Sequence, residues 1–289
     1  MTLLLLLNQQ TGASSATSVA RPASPAPREP PEFPPAWADA WGDDRFGLWA
    51  EFELQGVTQR LRWIEPGEFL MGSPDTERHR ESDEGPQHRV RIGHGFWIAN
   101  TTCTQALWQV VMGDNPSQFT DDPCNPVERV GWDEAQIFLQ RLGLALQGLA
   151  EPQLPSEAEW EYACRAGTTG TFNQPFPHAF GAMGRYRERT MPADMPPANA
   201  WGLHGMHGNV WEWCRDGRRT YAALAQDEVL LDPQGHQELT VPRAVRAGSL
   251  SLDAEYLRSA LRNPHRRGDS LDHQGFRFAM QSGGMPGRG

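Results

Sequence analysis

The residue types able to do chemistry are few and scattered. Cysteine stands at Cys103, Cys124, Cys164 and Cys214 in a chain of 289 residues. No two lie in a CxxC spacing, which argues against a zinc ribbon or a thioredoxin-type dithiol. Four in this length do not make a disulfide scaffold either, so reduced, buried thiols are expected. His204 and His207, with Cys214 downstream, would make a zinc site only with further ligands at fixed spacing. None is evident, and exposed or capping histidines are expected instead. All 26 basic residues are Arg. A Schiff-base lysine and a Walker lysine are therefore absent, and there is no Gly-x-Ser-x-Gly elbow or phosphate loop.

The formal charge of −10 argues against nucleic acid, which demands a basic footprint, and against an anionic membrane surface. No stretch approaches the roughly 20 apolar residues of a membrane span. The start has no positive n-region, and its apolar run, Leu3 to Leu7, falls short of the roughly 7–15 residues of a secretory core. A cytoplasmic location follows as an expectation.

The elements that would position a site can be read from pattern. Residues 1–36 are rich in Ala, Ser, Pro and Gln and read as a disordered tail or linker. Residues 37–62, with Trp37, Trp41, Phe46 and Trp49 among acids, read as an aromatic-acidic extension to a domain spanning 63–280. Within it, residues 52–54 and 60–63 alternate like paired strands. Strands are also expected at 69–71, 89–98, 241–246 and 276–280. Residues 73–88 form a charged run, read as a solvated excursion in preference to a ligand loop. Three helices carry an N-cap oxygen followed three residues later by Gln or Glu: Thr102 with Gln105, Asp133 with Gln136, and Ser156 with Glu159. The 29 Gly, 24 Pro and 11 Trp favour long loops packed on large aromatics. Residues 281–289 read as a flexible tail. The layout is α+β, with one large domain.

Five phrases are more specific. They are Trp63-Ile-Glu-Pro-Gly-Glu-Phe-Leu-Met-Gly-Ser73, Leu154-Pro-Ser-Glu-Ala-Glu-Trp-Glu-Tyr-Ala-Cys-Arg-Ala-Gly167, Asn199-Ala-Trp-Gly-Leu203, Gly208-Asn-Val-Trp-Glu-Trp213, and Arg246-Ala-Gly-Ser249 followed by Gly275-Phe-Arg277. In this order they resemble a formylglycine-generating-enzyme (sulfatase-modifying factor) domain. The resemblance implies a C-type-lectin-like fold with little regular secondary structure. It also implies Ca2+ held by the carbonyls of Gly205, Gly208 and Val210 with the Glu212 carboxylate, a hard oxygen set. A salt bridge from Glu212 to an arginine is the alternative. Members of the family oxidise a substrate cysteine using Cu(I) bound by two thiolates. Their positions, carried over from the Ala247-Gly248-Ser249 element, hold Leu252 and Leu257 here. Leucine offers no lone pair to a soft ion, so no copper is expected. Ser249 and Trp211 match the family's active-site region. Cys164 lacks the partner that secreted relatives carry at the position of Phe278, so it is expected as a free buried thiol.

The resemblance further includes the variable proteins of diversity-generating retroelements. These randomise adenine-containing codons between the Gly-Gly-Ser and Gly-Phe-Arg elements. Here that stretch holds Ser251, Leu252, Asp253, Tyr256, Leu261, Asn263, His265, Asp269, Ser270, Asp272 and His273, each derivable from an Asn codon. Such a mixed set on a rigid scaffold suits a protein or peptide ligand, with Trp211 and Arg262 beneath or beside it. Three functions are thus carried forward: a non-catalytic binding module, an oxidase using other ligands, and a structural domain attached to an effector through residues 37–63.

Overall fold

The computed structural model describes residues 29–174, 189–221, 228–249 and 252–281. Its strands are β1 (Ala40–Asp44), β2 (Gly47–Leu54), β3 (Val57–Ile64), β4 (Gly67–Met71), β5 (His88–Ile92), β6 (Phe96–Ala99), β7 (Pro152–Gln153), β8 (Trp211–Gly217), β9 (Leu230–Leu231), β10 (Arg243–Arg246), β11 (Asn263–His265), β12 (Gln274–Gly275) and β13 (Ala279–Gln281). The helices are α1 (Gln105–Met112), α2 (Trp132–Ala145) and α3 (Glu157–Arg165). The strands form three sheets, in the orders β1-β2-β3-β6-β13-β7, β11-β10-β8-β12 and β4-β5-β9. This is an α+β fold of short elements and long connections. No helix among the described residues is long and apolar enough to cross a membrane.

The aromatic-acidic stretch is built into the largest sheet. β1 pairs with β2, β2 with β3, and β3 with β6, Trp63 lying opposite Trp97. The boundary expected between residues 62 and 63 therefore falls inside β3. Of the expected tail, residues 1–28 lie outside the described residues. Within the remainder, Phe33 stacks on Trp97 at 6.3 Å, and Trp37 meets the same ring edge-on at 5.8 Å. Of the flexible tail expected at 281–289, Gln281 closes β13, and the rest lies outside the described residues.

Two helix starts differ from expectation. α1 is capped by Thr104, whose Oγ1 accepts from Leu107 N at 3.2 Å. Gln105 is engaged elsewhere, donating to the carbonyls of Phe119 and Pro126. Gly131 precedes α2, and its N–H donates to Glu134 at 2.7 Å, so Asp133 lies inside the first turn. The third start stands as read: Ser156 caps α3 and receives Glu159 in a reciprocal box. The strand expected over 89–98 is two strands. Gly93 N donates to Asp232, and a Cβ on Gly95 would lie 2.1 Å from the Trp63 ring, so the chain turns there between two sheets.

One apolar core packs α1 and α2 on the large sheet around Trp97, Trp108, Phe138, Phe276 and Phe278. Trp108 and Phe138 stack at 5.3 Å. A second surrounds α3 through Trp160, Phe96, Ile98 and Met206. α3 is buried along its whole length, acids included. Each acid finds partners: Glu161 accepts from Gly72 N, Arg165 and Arg246 at 2.9, 2.9 and 2.5 Å, and Glu157 takes both arms of Arg262 at 2.6 Å. Burial of so much charge is tolerable only because it is paired and hydrogen-bonded.

At the α3 entrance His94 stands between Glu159 at 3.1 Å and Asp232 at 3.3 Å. Hydrogen bonds to Asp232 and then Glu159 raise its pKa to about 9. The pKa is higher in the folded state, so the stabilisation is fully present below about pH 6.5 and is lost as pH rises through 9. The ring is 38 % exposed, which screens the pair. A loss of about 1 kcal/mol between pH 6.5 and 9 is expected. Urea titrations should show that slope in the wild type and a flatter profile for His94→Gln.

Candidate functional site

The site is built on the four-stranded sheet. Alternation along β8 sends Trp211 and Trp213 to one face and Glu212 and Cys214 to the other. Gln274 of β12 lies opposite Trp211. Val245 of β10 lies opposite Trp213 and also opposite Asn263 of β11. His265 sits 6.0 Å from each tryptophan ring, and its Nε2 meets the Asn263 amide at 3.1 Å. Both amide atoms of Gln274 and Nδ1 of His265 are buried without a well-formed hydrogen bond. Burial lowers the His265 pKa, so its ring is neutral at pH 7. The result is an aromatic floor carrying uncharged donors and acceptors.

The nominated residues sort by exposure. Asp253, Tyr256 and Ser270 are exposed, and Leu252, Asn263, His265, Asp269, Asp272 and His273 are half-buried. Asp269 caps Arg266 N at 2.9 Å, and Asp272 holds His273 at 2.7 Å. Ser251 lies outside the described residues. Leu261 is 6 % exposed within the main core, so it is a packing residue and not a ligand contact. Arg262 is buried. It is held by Glu157, the Asp83 carbonyl and the Tyr221 ring. Ser249 is fully buried behind Gly248.

The positions where the family resemblance places thiolates are apolar and packed. Leu257 is 2 % exposed, and Leu252 packs against the main core. All four cysteines are free, and Cys124 is exposed, contrary to the expectation that all would be buried. Cys164 donates to the Met206 carbonyl at 3.6 Å, 4.0 Å from His207 Nε2. Burial drives its pKa to about 12 and that of His207 to about 4, the reverse of an activated thiol–imidazole pair. His207 Nε2 accepts from Asn173 N, and Nδ1 faces the Leu257 carbonyl. His204 bonds the Pro196 carbonyl. Among the described residues no three His, Cys, Asp or Glu side chains converge as a metal cluster.

Glu212 is fully buried and takes Arg277 in two bonds, at 2.6 and 2.7 Å, while Trp160 donates to it at 2.7 Å. The arginine alternative is therefore realised. Arg277 also donates to the carbonyls of His204 and Ala99. Arg277 closes the Gly275-Phe-Arg277 phrase and Gln274 immediately precedes it, but the sequence alone assigns neither a role at the site. The oxygen set for calcium remains open in part. Among the described residues no backbone donor reaches the carbonyls of Gly205, Gly208 or Val210, and Gly205 and Gly208 take positive φ of 69° and 127°. Oε1 of Glu212 accepts from Arg277 alone. These oxygens fit a hard cation, but the single carboxylate is already balanced by Arg277.

Comparison with known proteins follows the same lines. The sulfatase-modifying factor enzyme 1-like domain family matches residues 46–282. The formylglycine-generating enzyme of Thermomonospora curvata is 30% identical over 206 residues, covering 64% of this chain and 63% of that protein. The match thus spans less than two thirds of that relative's length. Among solved structures, Treponema denticola variable protein 1 superposes with a TM-score of 0.68 at 23% identity, covering 81% of this chain and 99% of that one. PvdO from Pseudomonas aeruginosa gives 0.65 at 24% identity, covering 84% and 98%. At such identities the two structures establish the fold alone.

Proposed function

The chain belongs to the sulfatase-modifying factor enzyme 1-like domain family, and from that premise we propose that it is a non-catalytic module holding a protein or peptide ligand on the surface formed by residues 252–273. One observation carries the reading. Where a soft metal would need two sulfurs, the chain has Leu257, which is buried, and Leu252, half-buried against the main core. The same scaffold keeps a face with Trp211 beneath and polar, half-exposed side chains above. Function resides in such sites and not in the fold. The likeness to a protein named a variable protein supports the idea that this segment is genetically diversified. A near-identical repeat beside the gene, with Asn codons at the nominated positions, would support that idea, and its absence would remove it. The competing reading, a thiol oxidase, draws on the name of the T. curvata relative.

A variant carrying Ala at Tyr256, Ser270 and His273 tests the surface. These side chains are exposed or half-exposed, so thermal stability should stay unchanged while capture of partners recovered by wild type drops at least tenfold. Equal recovery by the two proteins would defeat the proposal.

The loop from Gly205 to Glu212 is the proposed seat of a structural Ca2+. With its one carboxylate neutralised, affinity belongs near the millimolar end of the range, about 10⁻⁴–10⁻³ M. Adding 10 mM CaCl2 should raise Tm by about 2–5 °C, and Gly205→Asp should tighten the site. No shift for either protein would mean that the loop holds no calcium.

A further inference from the structure

Residues 73–88, read from sequence as a solvated excursion, leave β4 and return as β5, yet they are fastened at several points to the segment just described. Ser73 N and Oγ bond the Glu84 backbone and carboxylate at 3.0 and 2.9 Å. Gly72 permits this approach, since a Cβ there would lie 2.3 Å from the Glu84 carbonyl. Glu84 is 0 % exposed. Both its oxygens take Arg258, at 2.5 and 2.6 Å, and Arg258 also holds Glu77 at 2.9 Å. The same guanidinium donates Nε to the Glu255 carbonyl at 2.8 Å. His79 meets the Glu255 carboxylate at 3.1 Å, and Arg262 donates to the Asp83 carbonyl at 2.9 Å.

We infer that the ligand surface is composite: the exposed tip of this loop is its second wall, and Arg258 is the positioning residue that fixes loop and segment against each other. The inference rests on the binding reading above and widens the surface it assigns. One guanidinium joins two carboxylates whose side chains are buried. Without the cation, two negative charges would face each other out of water and the loop would have to leave. With the His79–Glu255 contact, the joint brings the stretch holding exposed Thr76, Arg78 and His79 against the turn that holds exposed Asp253 and Tyr256. None of these residues lines the cavity at Asn173, Leu203, Met206 and Gly208. An exposed surface of mixed charge, with Arg78 and His79 beside Asp253 and Glu255, fits the face of a folded protein.

Hydrogen exchange by mass spectrometry on the full chain tests the joint without a ligand. In Arg258→Met, amides of residues 74–84 and of 253–258 should exchange at least tenfold faster together, with β2, β3 and β8 unchanged. Glu84→Gln should loosen the same two stretches, and Arg258→Lys should restore much of the protection. Acceleration confined to one stretch, or spread evenly into the core strands, would overturn the inference. The partner recovered on wild-type protein supplies a second arm. Thr76→Trp should weaken its binding at least tenfold, and Leu144→Trp on α2 should not. Unchanged affinity for Thr76→Trp would exclude the loop from the surface while leaving the Tyr256 experiment to judge the binding reading itself.

Discussion

Arg277→Met is expected to lower the unfolding free energy by about 3–5 kcal/mol, because it strands a buried carboxylate. Arg277 and Glu212 are each fully buried, and the guanidinium also satisfies the carbonyls of His204 and Ala99. The pair therefore joins β6, the 204–212 loop, β8 and the approach to β13 at one point. Adding Glu212→Gln to the variant should recover part of the loss, since an amide removes the charge and still offers an oxygen to Trp160 Nε1. The charge balance also links this prediction to calcium. With Glu212 no longer neutralised, Ca2+ should stabilise Arg277→Met more than wild type. Urea denaturation with and without CaCl2 measures both effects. A loss under about 1 kcal/mol would show that the pair has water or another partner to fall back on.

Gly248→Ala is expected to cost about 2–4 kcal/mol and to displace the recognition segment. Gly248 sits at φ +74, and a Cβ there would lie 2.4 Å from the Tyr256 carbonyl and 2.5 Å from Leu257 Cδ2. Neither obstacle is the end of a long flexible side chain, so the 254–257 turn would have to shift. Gly113→Ala is the control. It has a similar backbone angle, φ +92, but nothing within 4 Å, and it terminates α1. Its cost should stay near the intrinsic value of about 1 kcal/mol. Thermal denaturation compares the two, and a structure of Gly248→Ala would show whether Tyr256 has moved. Equal costs would mean that the segment is not held against Gly248.

What could be read from the sequence follows the range of the interactions. Ser156 and Glu159 declared α3 because a capping box is a local device, complete within four residues. The same pattern at Thr102 and Gln105 misled by two residues. Cys103 N is committed to the Phe276 carbonyl, and the Gln105 amide to the loop below, so the cap passed to Thr104. The strand over 89–98 was visible as alternation, but its break was not. Gly95 is small because Trp63 lies over it, a contact no window of ten residues contains. At the site, β8 begins inside the Gly208-to-Trp213 phrase, so its alternation was legible there, while the exposure of the residues around it depends on distant packing. Leu261 was misread because codon reasoning says nothing of burial, and it faces the core. The Arg258–Glu84 joint spans 174 positions and leaves no period or motif behind. Read singly, its acids were solvated charges, the usual fate of such residues.

Copper decides the central claim most directly. Cu(I) would be titrated anaerobically into reduced protein against a chromogenic chelator, and oxygen uptake then followed in air with a cysteine-containing peptide. With Leu252 and Leu257 where sulfur would be needed, the wild type should retain no stoichiometric copper and show no peptide-dependent uptake, whereas Leu252→Cys with Leu257→Cys should gain copper binding. One tightly held Cu(I) per wild-type chain, with turnover of the peptide, would contradict the account.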